Sequence, residues 1–248
     1  MNNLKNIINF SFQLSLVDIF NSFRRSYIGI FWISLTALAY IFCIGFMFPY
    51  FFSGNLVESI FHVSYGIIFW FFFSITLRES CDAFPLNQGL IFSQNISYMV
   101  YILQIFFKNT IVFLVNLTFL LIFILIFNIN INLLYFGLSI IIFFLITFSL
   151  AIIFSIVSTR YKDFSSMIGL MLQLGFILSP IIWNEKILGD NAWILKYNFF
   201  YHIISLVKFS FFQINYYIIL MNIIYLIFFM LLSFWLYKFK SKRVPFWI

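Results

Sequence analysis

The sequence predicts an all-α membrane protein, a single domain over residues 1–248. It should have six transmembrane helices, an N-terminal interfacial helix and an outer re-entrant helical segment. Three observations predict this. Hydrophobic residues make up 64% of the chain and charged residues only 8%, where a soluble domain is nearer half and a quarter. Uncharged runs recur at lengths that can cross a bilayer, which needs ~20 mostly apolar residues. The basic residues fall almost entirely into alternate connections, as the positive-inside rule requires.

The elements follow in order. Residues 1–25 form a cytoplasmic interfacial helix: Leu4, Ile8, Phe12, Leu16, Ile19 and Phe23 suit one face lying on the membrane, and Asp18 argues against a cleaved signal. "FSFQLSL" also alternates with period two, so periodicity alone leaves a strand open. A lone strand beside lipid has unpaired backbone groups, which favours helix. The first span covers about 29–52 and the second about 60–77. A polar break follows, with Glu79, Asp82, Pro85, Asn87, Gln88 and Gly89. The third span is about 97–127 and the fourth about 133–158, divided at "NININ", Asn128–Asn132. The fifth covers about 164–183 and the sixth about 214–237. Between them, "WILKYNFFYHIISLVKFSFF" is too apolar for a water-exposed loop and reads as short helices dipping into the outer leaflet.

Orientation follows from charge. A cytoplasmic N-terminus puts Lys5, Arg24, Arg25, Arg78, Lys108, Arg160, Lys162, Lys238, Lys240, Lys242 and Arg243 inside, and only Lys186, Lys196 and Lys208 outside. Both termini then face the cytoplasm, and the net charge of +7 reports topology, not nucleic acid. Lys108 at mid-membrane would cost about 2.5–3.5 kcal/mol, so the inner interface, with its stem snorkelling, is expected. Cys43 and Cys81 fall on opposite membrane faces and should not pair. The 40 phenylalanines read mainly as compositional drift, with a ligand path explaining a minority.

No catalytic constellation, cofactor motif or metal spacing is visible. His62 and His202 fall in outer segments, and no Gly-x-x-x-x-Gly-Lys-Ser/Thr loop exists. The loop Cys81–Gln94 suits a short helix bounded by Pro85 and Gly89, with Asn87 in the polar break and Leu90 and Ile91 able to fill a cleft on a partner. Glu79 and Asp163 are expected to pair with Arg78 and Arg160.

Several stretches, in order, resemble type-2 ABC exporter permeases. "DIFNSFRRSYIGIFW" is similar to the family's opening signature, matching at Asp18, Arg24, Arg25, Ser26, Gly29 and Trp32. "YGIIFWFFFSITLRES" resembles the second span, and Lys108–Asn109 stands at an Arg-Asn step. "RYKDFSSMIGLMLQLGFILSPIIW" resembles an Arg-Tyr-Arg-Asp-Phe…Leu-Ser-Pro stretch, with Gly169 where Pro is usual. "KYNFFYHIISLVK" resembles Asn-Pro-Phe-Tyr-His-Leu-Ile, with Phe199 for Pro. The last pieces are most similar to the branch exporting O-antigen, capsule or teichoic acid.

The resemblance implies a homodimer in the bacterial cytoplasmic membrane, two copies of a separate ABC ATPase subunit, and an undecaprenyl-linked glycan as substrate. Pro85, Asn87, Gly89, Leu90 and Ile91 would couple to the ATPase. Arg24 and Arg25 would meet headgroup or lipid phosphate. Trp32, Tyr40, Phe176 and Trp183 would line the glycan path, because Trp and Tyr combine flat apolar faces with hydrogen-bonding tips. The alternatives are a drug or lipid exporter of the same family, a membrane acyl- or glycosyltransferase, and a non-transporting scaffold.

Overall fold

A computed structural model describes residues 4–22, 24, 26–27, 29, 31–52, 56–93, 96–208 and 215–248. Among the described residues there are helices and turns and no strand. The α-helices are α1 (Leu4–Ser22), α2 (Phe31–Phe52), α3 (Leu56–Cys81), α4 (Gln88–Ser93), α5 (Met99–Ile126), α6 (Leu133–Arg160), α7 (Asp163–Leu178), α8 (Phe199–Lys208) and α9 (Tyr216–Lys240). Among the described residues, four segments are long and apolar enough to cross a membrane: Leu56–Cys81, Met99–Ile126, Leu133–Arg160 and Tyr216–Phe246. The protein is therefore an all-α membrane protein. The other two expected spans, α2 and α7, are not among these four. The side chains of α2 are described as an apolar stretch only over Ser34–Met47, and α7 has 16 residues.

The fifth span was expected to reach 183, but α7 stops at Leu178. Ser179 precedes Pro180 and is extended (φ −93°, ψ 145°), the conformation a following proline imposes. Trp183 therefore lies beyond the helix.

α3 is the hub, packed against α2, α5, α6, α7 and α8. It is buried at most positions from Ser59 to Cys81. At 26 residues it is about 39 Å long, more than the ~30 Å hydrocarbon core. Its ends carry Glu58 and Arg78–Glu79, outside the expected 60–77 span. Phenylalanines form much of the interior. Phe69 and Phe72 meet Phe113 at 5.0 and 5.1 Å, and Phe72 stacks on Phe144 at 4.7 Å. Such pairs contribute beyond their buried area, so many of these rings are core material.

α1 packs on α5 through Ser11, Ser15 and Ile19, whose small serines allow close approach. Gln104 Nε2 donates to Asp18 at 2.5 Å, and Phe12 meets Phe107 edge-on at 5.9 Å. Of the expected apolar face, Leu4, Ile8 and Phe12 are exposed, Ile19 is buried, and Phe23 lies outside the described residues. "NININ" is the expected turn: Asn128 takes φ 51°, a region Asn tolerates, and the Asn132 side chain caps α6 by accepting from the Tyr135 amide.

The segment after α7 is a 3-10 run, Glu185–Tyr197, kinked at Gly189 (φ 51°), followed by α8. α8 is buried from Tyr201 to Lys208 against α3, α6 and α9. Gly175 makes this packing possible: a Cβ there would lie 2.7 Å from the Phe200 ring and 3.0 Å from Trp70.

Candidate functional site

Successive residues on one face of α3 descend as Trp70, Ser74 and Arg78, a spacing of four that keeps them in line. α7 runs antiparallel beside it. Gly66 faces Ile181, Trp70 faces Phe176 at 5.9 Å between ring centroids, and Gly169 faces Arg78. α2 adds Tyr40, edge-on to Phe71 at 5.5 Å. Together they enclose a groove of about 350 Å³, lined by Tyr40, Trp70, Phe71, Ser74, Ile75, Arg78, Gly169, Leu172, Gln173 and Phe176. That volume lies in the range of small-molecule sites. Its walls are flat rings, and its hydrogen-bonding tips are Ser74, Gln173, Tyr40 and the Arg78 guanidinium.

The groove brings together two of the four expected path residues, Tyr40 and Phe176. Trp32 is an exposed residue in the first turn of α2 and does not line it. Trp183 does not line it either. Its indole Nε1 donates to the Ile177 carbonyl at 2.9 Å, and its own carbonyl meets His62 Nε2 at 3.2 Å. Trp183 thus caps the end of α7 and ties it to α3. Trp70, Gln173 and Arg78 were missed as lining residues. The one signal available was the Trp70–Ser74–Arg78 line, which reads on its own as ordinary helix packing.

The expected pairing of Glu79 with Arg78 or Arg160 is replaced by another. Lys108 Nζ donates to Glu79 Oε1 at 2.6 Å, and Asn109 Nδ2 donates to Oε2 at 2.9 Å. The Arg160 guanidinium lies 5.2 Å from the Tyr161 ring centroid and 5.4 Å from that of Trp247, a cation–π arrangement where a bridge to Asp163 was expected.

In the loop after α3, Pro85 opens a 3-10 turn, Pro85–Asn87, and Asn87 Nδ2 donates to the Ala83 carbonyl at 2.8 Å. Gly89, Leu90 and Ile91 then fall in α4, where Ile91 packs inward and Leu90 is exposed. Leu86 and Phe92 are more exposed still, at 82% and 59%, and belong to the same apolar surface. Arg24 is exposed, with its amide donating to the Asn21 carbonyl at 3.3 Å after α1; Arg25 lies outside the described residues.

A polar cluster at the far end of α3 was not foreseen. Lys208 Nζ reaches Glu185 Oε1 at 2.5 Å, and the Tyr201 hydroxyl donates to Oε2 at 2.7 Å. His62 Nδ1 and the Tyr65 hydroxyl are 3.1 Å apart nearby. Burial would raise the Glu185 carboxyl, but the hydrogen bonds from Lys208 and Tyr201 and the Lys208 charge outweigh it, so its pKa is held below the ordinary value. Burial, then the Glu185 contact, raises Tyr201. Among the described residues no three His, Cys, Asp or Glu converge on a metal position.

No protein-family model and no curated protein matches the chain.

Proposed function

We propose that this protein is the permease subunit of an ABC transporter that exports a lipid-linked polysaccharide across the bacterial cytoplasmic membrane. In this reading α2 and α7 complete six spans, both termini are cytoplasmic, and two copies work with two copies of a separate ATPase subunit. The observation that carries it is the groove between α2, α3 and α7. Tyr40, Trp70 and Phe176 offer faces for sugar C–H groups, and Ser74 and Gln173 offer hydrogen bonds. The exposed Leu86, Leu90 and Phe92 of the inner loop support it, since an apolar surface on a short loop suits a cleft on a partner. The ordered resemblance of the sequence stretches supports it as well.

The test is genetic and chemical. Deleting the gene should abolish surface polysaccharide while lipid-linked chains accumulate inside, and Phe176→Ala should reduce export at an unchanged membrane level of the protein. Normal surface polysaccharide in the deletion strain would overturn the reading.

A further inference from the structure

One amide of α9 grips α8. Asn222 Nδ2 donates to the His202 carbonyl and to the Ile218 carbonyl, each at 2.8 Å. Both partners are carbonyls, so both amide protons are spent and the orientation of the amide is fixed. Its Oδ1 is left as an acceptor. His202 reaches the same condition by another route. Its Nε2 lies 2.9 Å from the Lys196 carbonyl, which can only accept, so Nε2 carries a proton. In the neutral ring Nδ1 is then an acceptor as well. Both residues are fully buried, and among the described residues neither Asn222 Oδ1 nor His202 Nδ1 meets a hydrogen-bond partner.

Two buried acceptors, on residues in direct contact, ask for a donor. A buried polar atom left unmatched bears its full desolvation cost. Two donors would serve. An imidazolium donates from Nδ1 too, but it puts a charge on a fully buried side chain. The rings of Tyr217 and Tyr225, at 5.8 and 5.9 Å from His202 between centroids, bring no counter-charge. Glu185, the carboxylate of this region, is already held by Lys208 and Tyr201. A water molecule donates twice and carries no charge, so it matches the pair in number and sign at the smaller cost.

Water also has a way in. A cavity of about 350 Å³ lies between the 3-10 run and the start of α9, and its lining includes Glu185, Trp193, Tyr201, Asn215, Tyr217 and Ile218. One water takes about 30 Å³ in the liquid, so the cavity has room for several. Its wall is the shell of the buried pair: Tyr217 meets the His202 ring, and Ile218 supplies a carbonyl that Asn222 holds. Asn222 lies about 9 Å along α9 from Tyr216, at the same end of the helix as the cavity.

We propose that His202 Nδ1 and Asn222 Oδ1 bind one water molecule between α8 and α9, admitted from this cavity past Tyr217. The water completes the polar tie between the two helices. The site is independent of the exporter reading.

The test is magic-angle-spinning NMR of the full-length protein in lipid bilayers, with isotope-labelled histidine. Labelled tyrosine carbonyl singles out His202, because Tyr201–His202 is the one Tyr-His step in the chain. The ring should be neutral with its proton on Nε2, and Nδ1 should receive magnetisation from a bound water. Asn222→Leu, which removes one of the two acceptors, should abolish that transfer. Tyr217→Ala should shorten the exchange time of this water with deuterated bulk, and Tyr216→Ala, outside the cavity lining, should leave it unchanged.

A ring protonated at both nitrogens overturns the proposal, since a proton then matches the pair. So does a neutral ring whose Nδ1 receives nothing from water. The parent spectrum decides both, whether or not Asn222→Leu folds. Transfer that persists in a folded Asn222→Leu protein overturns the shared site, and an exchange time untouched by Tyr217→Ala overturns the entry route.

Discussion

The Lys208–Glu185 pair should hold the 3-10 run Glu185–Tyr197 against the end of α8. The two side chains are 10% and 28% exposed. Glu185→Gln leaves the ammonium of Lys208 buried without its counter-charge. Removing one partner of a buried pair destabilises by about 3–5 kcal/mol, and the residual exposure of Glu185 places this case near 3 kcal/mol. Lys208→Met removes the more deeply buried charge and leaves Glu185 with the Tyr201 hydroxyl, so it should cost less. The double change should recover part of the loss, because it leaves no uncompensated buried charge and only the neutral glutamine amide to be satisfied. Unfolding in mixed micelles gives the free energies, and hydrogen exchange over 185–208 locates the opening. The pH dependence follows from the lowered Glu185 pKa. Its contribution is complete above the ordinary carboxylate range and disappears as pH falls through the lowered folded value, and Glu185→Gln should abolish that dependence. A Glu185→Gln protein within about 0.5 kcal/mol of the parent, the size of an ordinary surface change, would refute the reasoning.

Two further outcomes are expected. Gly175→Ala forces a Cβ to 2.7 Å from Phe200 and 3.0 Å from Trp70, so it should destabilise by about 1–3 kcal/mol in the same unfolding assay and loosen the α3–α7–α8 contact. Leu90→Asp combined with Leu86→Asp should leave the protein inserted and monodisperse, since both side chains are exposed, yet abolish co-purification with the proposed ATPase subunit. Retained co-purification at normal yield would remove the inner loop from the coupling surface.

Burial gives the fold a clear division of labour. α3 sits at the centre, and its two ends carry the polar work. Near one end Glu79 braces α5 through Lys108 and Asn109, leaving Arg78 to the groove. Near the other, His62 meets the Trp183 carbonyl beyond α7 and the Tyr65 hydroxyl, close to the Glu185–Lys208 pair.

What the sequence determined by itself is what local physics decides. Transfer of long uncharged runs into lipid specifies helices, so α3, α5, α6 and α9 fall close to their expected places. Asn128–Asn132 was legible as a turn because Asn accepts positive φ, and Pro85 marked the start of a short helical loop, whereas Gly89 lies inside α4 and does not bound it. The segment between α7 and α9 was legible as short packed helices because it was too apolar for water. Tertiary structure alone decided which charges meet and which rings share a wall. Glu79 and Lys108 are 29 residues apart, and Trp70 and Phe176 lie on helices separated by three others. Those contacts depend on the register of α3 against α5 and α7, set by close approaches such as Gly66 on Ile181. Helical periodicity says which residues share a face, but not which face of another helix they meet. Trp183 shows the difference most plainly. Its type and position suggested a path residue, but the extended Ser179–Pro180 step carries it out of α7, and its indole closes the helix end.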